Sequence, residues 1–382
     1  MTPLDRERLG EALALAESAF GVTEPNPRVG CVIASADGRV IGRGATQQAG
    51  GPHAEVMALR DAARQGHAVE GATVWVTLEP CAHHGRTPPC CDALVDARVA
   101  RVVVAATDPF PKVAGAGIAR LRAAGIAVDL ADDDLARAAQ DVNIGFFSRV
   151  LRRRPWVRLK AAASLDGVTA LANGQSQWIT GAAARTDGHA WRRRASAVLS
   201  GIGTVLADDP RLDVRLVPSM LQPLRVIVDS RLRLPATARL LEPPGRVLLA
   251  TASADQTARA ALVARGAEVV VLAGRDGQVD LPVLLGGLAE RGVNELHVEA
   301  GATLNGTLLA AGLVDELLLY MAPQLLGSGR PIARLAPLQR LADGLRLQIT
   351  EIARIGEDLR IRARLHDPAA WLSDWRAVEA PK

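Results

Sequence analysis

Gly51-Pro52-His53-Ala54-Glu55-Val56 (GPHAEV) and Pro80-Cys81-Ala82-His83-His84-Gly85-Arg86-Thr87-Pro88-Pro89-Cys90 (PCAHHGRTPPC) decide the reading of the first half of this chain. Each stretch follows a β-type run and opens a helical one. Upstream, Val29–Ala34 and Val40–Gly44 flank the tight-turn pair Asp37-Gly38, which predicts a hairpin. Residues 4–20 have helical spacing, and a helix is expected over His53–Gln65. Ala72–Thr77 reads as a strand, Cys90–Ala97 as a helix, Arg101–Ala106 as a strand, Ala116–Ala124 as a helix and Val128–Leu130 as a short strand. Strands alternating with helices predict a layered α/β domain over residues 1–148.

The two quoted stretches also carry metal chemistry. Catalytic zinc takes three protein ligands and keeps its fourth position open, and one histidine with two thiolates supplies three. Glu55, two residues from His53, faces that open position without ligating, placed to take a proton from water and pass it to a leaving amine. Zinc deaminases carry H-x-E followed by P-C-x-x-C. Here Cys81 and Cys90 enclose eight residues instead of two. Cys91 is the competing thiol at the second position, whereas Cys31, inside a strand, reads as core. His83 and His84 are loop residues suited to hydrogen bonding rather than ligation, and Asn26 is either a turn residue or a reader of a base edge.

The long PCAHHGRTPPC loop, with GPHAEV and with PNPRVG at 25–30, resembles the pyrimidine deaminases of riboflavin biosynthesis over residues 20–145. That resemblance implies a cytidine-deaminase-like αβα fold and one zinc per chain held by His53, Cys81 and Cys90. It further implies Glu55 as the catalytic residue and Asn26 as a substrate contact. The chain departs from the family at Asp108-Pro109-Phe110-Pro111-Lys112, where asparagine is usual in place of Phe110.

Arg149–Pro155 reads as a polar linker, and a second α/β series follows over residues 156–366. Its expected strands are Val157–Ala163, Ala197–Ser200, Leu224–Asp229, Val247–Ala250, Glu268–Leu272, Glu295–Glu299 and Glu316–Ala322. Helices are expected at Thr257–Arg265 and Pro282–Arg291, and Leu345–Leu365 alternates like antiparallel strands. The tail, residues 367–382, holds Trp371 and Trp375, to which no function attaches. Gly301-Ala302-Thr303-Leu304-Asn305-Gly306-Thr307 follows a strand and opens a helix, where free amides suit phosphate. It is not the G-x-G-x-x-G fingerprint, so a Rossmann site is not supported, and alone it is only a turn.

Leu159–Gly167 (LKAAASLDG), Ser176–Thr180 (SQWIT), Gly203–Pro210 (GTVLADDP) and Val298–Gly301 (VEAG) resemble the reductase of the same pathway, which has a dihydrofolate-reductase-like fold. Deaminase followed by reductase is the order of the bifunctional family of that pathway. The resemblance implies NADPH contacts from Ala162, Trp178, Thr204, Asp208, Ser230 and Gly301–Thr307. It implies substrate contacts from Ser176, Arg192, Leu212, Arg215 and Glu299, the arginines suiting a phosphoribosyl tail.

Composition excludes other classes. The 45 basic and 41 acidic residues leave a net charge of +4, scattered apart from Arg152–Arg154, which reads as a solvated run. A nucleic-acid binder concentrates its charge, so no nucleic-acid partner is expected; the resemblance implies a small phosphoribosyl pyrimidine as substrate. No apolar run is long enough for a membrane span, and the first residues do not read as a secretory signal. Four cysteines, two of them adjacent, do not make a disulfide framework, which leaves cytoplasmic, reduced thiols or a metal site. A homo-oligomer is expected.

Overall fold

Glycines let the first helices lie directly on the first strands. In the computed structural model, which describes residues 1–84, 88–110 and 113–372, α1 (Pro3–Ser18) crosses β1 (Gly30–Ala34) at Gly30. A Cβ there would stand 1.9 Å from the Ala12 carbonyl oxygen. β2 (Val40–Ala45) meets α2 (Ala54–Arg64) through Gly42 and Gly44, where a Cβ would approach the Ala58 and Ala54 carbonyls within 2.3 and 2.2 Å. Gly44 pairs with Cys31 and Gly42 with Ile33, so α2 covers the face opposite to α1. Three layers result. Thr2 caps α1 reciprocally with Asp5, and Pro3 at its first position needs no amide partner.

The unit continues with β3 (Thr73–Val76), α3 (Cys90–Asp96), β4 (Arg101–Val104), α4 (Ala116–Ala123), β5 (Ala127–Leu130), α5 (Asp133–Val142) and α6 (Ile144–Arg152). Its sheet runs β2-β1-β3-β4-β5, with β3, β4 and β5 parallel and β1 antiparallel to its neighbours. α3 packs between α2 and α4.

The chain divides into two units, Met1–Arg152 with Ala369–Lys382, and Arg153–Pro368. Arg149–Pro155 is therefore not simply a linker: helix continues through Arg152, because Phe146 and Phe147 bury its apolar side. Of Arg152–Arg154, only Arg153 is exposed as a solvated run would be. Arg152 donates to Ser148 Oγ at 2.6 Å and lies 4.6 Å over the Trp371 ring, and Arg154 donates to Asp315 Oδ1 at 2.6 Å. That contact gives Trp371 a packing role; Trp375 lies outside the described residues, as do Gly85–Thr87, Pro111 and Lys112.

The second unit comprises β6 (Trp156–Ser164), β7 (Val168–Leu171), α7 (Ala182–Arg194), β8 (Ala197–Gly201), α8 (Ile202–Asp208), β9 (Leu224–Val228), β10 (Val247–Thr251) and α9 (Gln256–Ala264). β11 (Ala267–Val271), α10 (Leu281–Glu290), β12 (Glu295–Val298), α11 (Ala302–Ala310), β13 (Glu316–Ala322), β14 (Gly329–Pro331), β15 (Gln348–Ile355) and β16 (Asp358–Arg364) follow. Nine strands form one sheet in the order β11-β10-β9-β8-β12-β6-β13-β16-β15, parallel except for β16 against its two neighbours. The ribbon of β7 with β14 was not legible in the sequence, being short and ending on Pro331.

One face of this sheet is apolar throughout: Leu159, Leu199, Val226, Leu248, Leu296 and Val298 pack with Leu284, Leu288 and Leu308. The other is divided. Over β8–β11 it is apolar, with Val198, Ile227 and Leu249 packing against Leu262. Under α7 it is charged. Arg158, fully buried, bonds Glu295 at 2.7 Å and Glu316 at 2.9 Å, with its guanidinium 4.6 Å from the Trp191 ring. Arg194 and Arg362 complete Glu295 and Glu316, and Arg360 pairs with Asp187. Such pairs persist in a core because each charge has several partners.

Candidate metal centre and charged cleft

Three local structures deliver the metal-ligand set. His53 is the N-cap of α2, Cys90 the first residue of α3, and Cys81 lies in the loop after β3. Because α2 and α3 pack side by side, these side chains converge. His53 Nδ1 stands 3.7 Å from Cys81 Sγ and 3.3 Å from Cys90 Sγ, and the three donor atoms lie within 4.8 Å of one another. Zinc–sulfur bonds of about 2.3 Å and a zinc–nitrogen bond of about 2.0 Å in a tetrahedron separate nitrogen from sulfur by about 3.5 Å. The donor set fits the ion.

The Cys90 thiol and the His53 ring, both beside Cys81, lower its pKa to about 4, the thiolate state a metal ligand needs. The Cys90 amide adds a hydrogen bond at 3.3 Å. Glu55 is buried on the first turn of α2, and burial raises its carboxyl to about 7, with Cys81 adding to the effect and His53 opposing it. A dication held among the three donors would draw it down again.

Cys91 points away. Its thiol donates to the Pro80 carbonyl at 3.2 Å, and burial raises its pKa to about 12. Cys31 is core. Beneath the cluster, Glu79 accepts from the amides of Asp108, Gly115, Gly117 and Ile118 at 2.9–3.2 Å, anchoring the strand end that leads to Cys81. A Cβ on Gly117 would lie 2.0 Å from the Pro80 oxygen. Nothing in the sequence singled out Glu79. His83 packs its ring 6.1 Å from that of Phe110, at the position where the family resemblance fails. The Asn26 amide donates to the Thr23 carbonyl, the turn half of its two readings.

In the second unit the predicted residues separate into groups. Arg192 on α7 forms a fork with both oxygens of Glu299, its Nη2 at 2.9 Å, and its Nη1 donates to the Asp213 carbonyl at 2.9 Å. The Arg192 guanidinium beside it takes the buried Glu299 carboxyl far below its ordinary range, against the effect of burial. Arg215 joins this group through Asp213 Oδ1 at 2.6 Å, and its own amide donates to His189 Nδ1 at 3.2 Å. Lys160 was missed. It is one of three lysines in an arginine-rich chain and sits on buried β6, within electrostatic reach of Glu299 and Arg192. Burial lowers its pKa, and its ammonium lies 5.8 Å from the Tyr320 ring centroid.

Of the residues expected to contact the nucleotide, Thr204, Ser230 and Gly301 follow the carboxyl ends of the parallel strands β8, β9 and β12. Gly201 and Gly301 are the N-caps of α8 and α11, neither with a side-chain cap bond, and they follow the adjacent strands β8 and β12. A Cβ on Gly301 would come 3.6 Å from Thr204 Oγ1. Crevices at such strand ends, where strand order reverses, receive nucleotides, and free helix-start amides receive phosphate. NADPH fits there. Ser230 ends β9's side of the edge, with its Oγ accepting from the Val279 amide. Asp208 is near Arg330, Trp178 lies under Arg185 at 4.6 Å, and Ala162 packs against the Trp191–Tyr320 cluster. Among the described residues no hydrogen bond joins Ser176, Trp178, Asp208 or Ser230 to the Arg192–Glu299 pair.

Three expectations need correction. The Leu212 side chain is core, packed with Val198 and Ile227, so only its backbone is left for a substrate. Asn305 is buried, donating to the Ala300 and Ile332 carbonyls at 3.1 and 2.8 Å. Gly306 is glycine because the Arg334 carbonyl oxygen would stand 2.0 Å from a Cβ. Both brace the turn, which leaves the helix start at Gly301–Thr303 with its amides free of side-chain caps.

Fold and sites together define a zinc-dependent deaminase joined to a nucleotide-dependent reductase in one bifunctional enzyme. Residues 4–106 match the cytidine and deoxycytidylate deaminase zinc-binding region, and residues 155–361 match the RibD C-terminal domain. The chain belongs to the RibD family of riboflavin biosynthesis. It is 44% identical over 373 residues to the riboflavin biosynthesis protein RibD of Escherichia coli K12, covering 93% of this chain and 98% of that one. The RibD of Aquifex aeolicus is 38% identical over 358 residues, covering 94% and 98%. Among solved structures, Acinetobacter baumannii RibD in its form 2 superposes with a TM-score of 0.84 at 42% identity, covering 94% and 98%. A Thermotoga maritima protein described as a diaminohydroxyphosphoribosylaminopyrimidine deaminase/5-amino-6-(5-phosphoribosylamino)uracil reductase superposes with a TM-score of 0.83 at 31% identity, with the same coverage. Among the described residues no helix is long and apolar enough to cross a membrane.

Proposed function

We propose that the first unit deaminates 2,5-diamino-6-ribosylamino-4(3H)-pyrimidinone 5′-phosphate and that the second reduces the resulting aminouracil's ribosyl group to ribityl. The observation that carries the first half is the convergence of His53, Cys81 and Cys90 within 4.8 Å, with buried Glu55 two residues from His53. Those three residues hold zinc, which when bound lowers the pKa of water in its open position to about 7. Glu55 would accept a proton on a carboxylate oxygen and return it to the departing amine. Asn26 contacts the substrate at the neighbouring turn.

In the second unit NADPH, when bound, supplies hydride. The helix starts at Gly201 and Gly301 would hold its phosphates, and Ala162, Trp178, Thr204, Asp208 and Ser230 would contact the rest of it. Arg192 and Arg215 grip the sugar phosphate, with Ser176 and the Leu212 backbone beside it. Glu299 binds the sugar's hydroxyls, and partly buried Lys160 puts a cation beside the ring oxygen that gains electron density as the sugar opens. The Arg192–Glu299 pair, partly open to solvent at the inner side of α7, supports this reading.

A homo-oligomer fits the exposed apolar edge of the second unit, where Ile349 and Ile352 on edge strand β15 stand beside exposed Leu345 and Leu347. Sedimentation velocity reads the oligomeric state directly.

Mass spectrometry of the purified chain with the diaminopyrimidine phosphate tests the activity. A gain of about one mass unit without NADPH and about two more with it is expected, since amine-to-carbonyl exchange and two-hydrogen reduction require those changes. Deamination only of single-stranded nucleic acid would replace the reading with a nucleic-acid deaminase.

A further inference from the structure

β12 carries Glu295 and His297 at alternate positions, and Glu299 follows directly after its end at the next alternate position, its amide bonded to the Leu199 carbonyl of β8, so the three fall in step along one face. Glu295 is taken by Arg158 and Arg194, and Glu299 by Arg192. His297 stands between them, fully buried, with Arg158 and Val198 as its cross-strand neighbours. Neither ring nitrogen has a hydrogen-bond partner among the described residues. Its Nε2 lies 3.4 Å from Glu299 Oε1, close enough for a hydrogen bond but out of line for one. Burial lowers the imidazole's pKa, with Glu299 opposing and Arg158 and Arg192 adding to the effect, and the neutral ring has one N–H to give. A buried donor left unmet is costly, and a small turn of the Glu299 carboxylate would satisfy it.

We propose that His297 is a positioning residue for Glu299. When a substrate phosphate draws Arg192 out of its fork, the His297 Nε2–H takes up the Glu299 oxygen that Arg192 releases. The carboxylate then stays aimed at the sugar rather than turning free in the cleft. This rests on the reading of Arg192 and Glu299 as substrate contacts.

The test is steady-state reductase kinetics of the full chain on the aminouracil phosphate, with deamination and NADPH titration run on the same preparations. H297L should lower kcat/KM for the aminouracil about tenfold, the scale of one hydrogen bond to a charged group. NADPH affinity and deamination should hold. H297Q, which keeps an N–H donor, should restore most of the loss. If H297L does not fold, H297M is read in its place. Adding H297L to E299Q should cost little more than E299Q alone, because the histidine acts through that carboxylate. Reductase kinetics of H297L within twofold of the parent, H297Q as poor as H297L, or additive losses in the double variant would each overturn the proposal while E299Q remains crippled. A fully active E299Q would overturn the reading of Glu299 as well.

Discussion

The metal centre takes its ligands from His53, Cys81 and Cys90, at two helix starts and one loop of a single layer, whereas the reductase cleft gathers Lys160, His189, Arg192, Asp213, Arg215 and Glu299 from strands and helices far apart in the chain. The first site concentrates its chemistry in a few donor atoms, each indispensable. The second distributes charge over mutually paired groups, so a single loss is shared. The first should therefore fail abruptly and the second by degrees.

The sharpest contrast is expected from Glu55→Gln. The amide is nearly isosteric and Glu55 is not among the three clustered donors, so zinc content and fold should survive. Deamination should fall by about 10²–10⁴-fold, the usual cost of removing a positioned proton carrier. Reduction of supplied aminouracil should stay close to the parent value. Cys81→Ser should instead empty the site of zinc, and Cys91→Ser, whose thiol only bonds the Pro80 carbonyl, should not. Metal analysis after dialysis separates these outcomes. Deamination by Glu55→Gln within tenfold of the parent would remove the glutamate from its role and erase the contrast.

A smaller effect is expected in the cleft, where Gly301→Asp and Arg215→Ala probe its two halves. Gly301→Asp puts a carboxylate at the uncapped start of α11 and should weaken NADPH binding by about tenfold or more. Deaminated, unreduced product then accumulates. Arg215→Ala removes a half-exposed guanidinium held by Asp213 and should raise the KM for the aminouracil phosphate by about tenfold, with NADPH affinity unchanged. Fluorescence titration of NADPH into both variants decides. Equal loss of NADPH affinity in the two would show that the cleft has no such division.

The same contrast explains how much the sequence disclosed. The strands of both sheets and the clustered donors were legible because periodicity and short motifs are local properties. Glu79 was not, since its four amide partners arrive from residues 108–118 through tertiary packing. Lys160, His189 and His297 were missed for a related reason: on a buried strand or helix, a lone cation or imidazole has no pattern to mark it. Gly306 misled in the opposite direction. Within a glycine-containing turn it reads as a phosphate cradle, yet its missing Cβ makes room for the Arg334 carbonyl. Arg152–Arg154 likewise reads as solvated charge, and only the fold reveals the partners of its two ends.

The smallest effect concerns pH, and it again falls on the distributed site. His189 is buried on α7, and its Nδ1 accepts the Arg215 amide, which requires the neutral ring. Burial lowers its pKa from 6.5 to about 4, with Arg192 and Arg215 adding to the effect and Glu299 and Asp213 opposing it. Between those two values the unfolded chain binds a proton that the folded chain refuses. Stability of the second unit therefore falls as pH drops from 6.5 toward 4 and is insensitive to this group above 6.5. Between about pH 7.5 and pH 5.5 the loss from His189 amounts to about 1 kcal/mol. His189→Gln removes the titration while leaving an acceptor for the Arg215 amide. Urea unfolding of the second unit at both pH values should show the parent losing about 1 kcal/mol more than the variant. Parallel losses in the two would mean that His189 is protonated in the folded chain, and that the Arg215 end of the cleft is held by Asp213 alone.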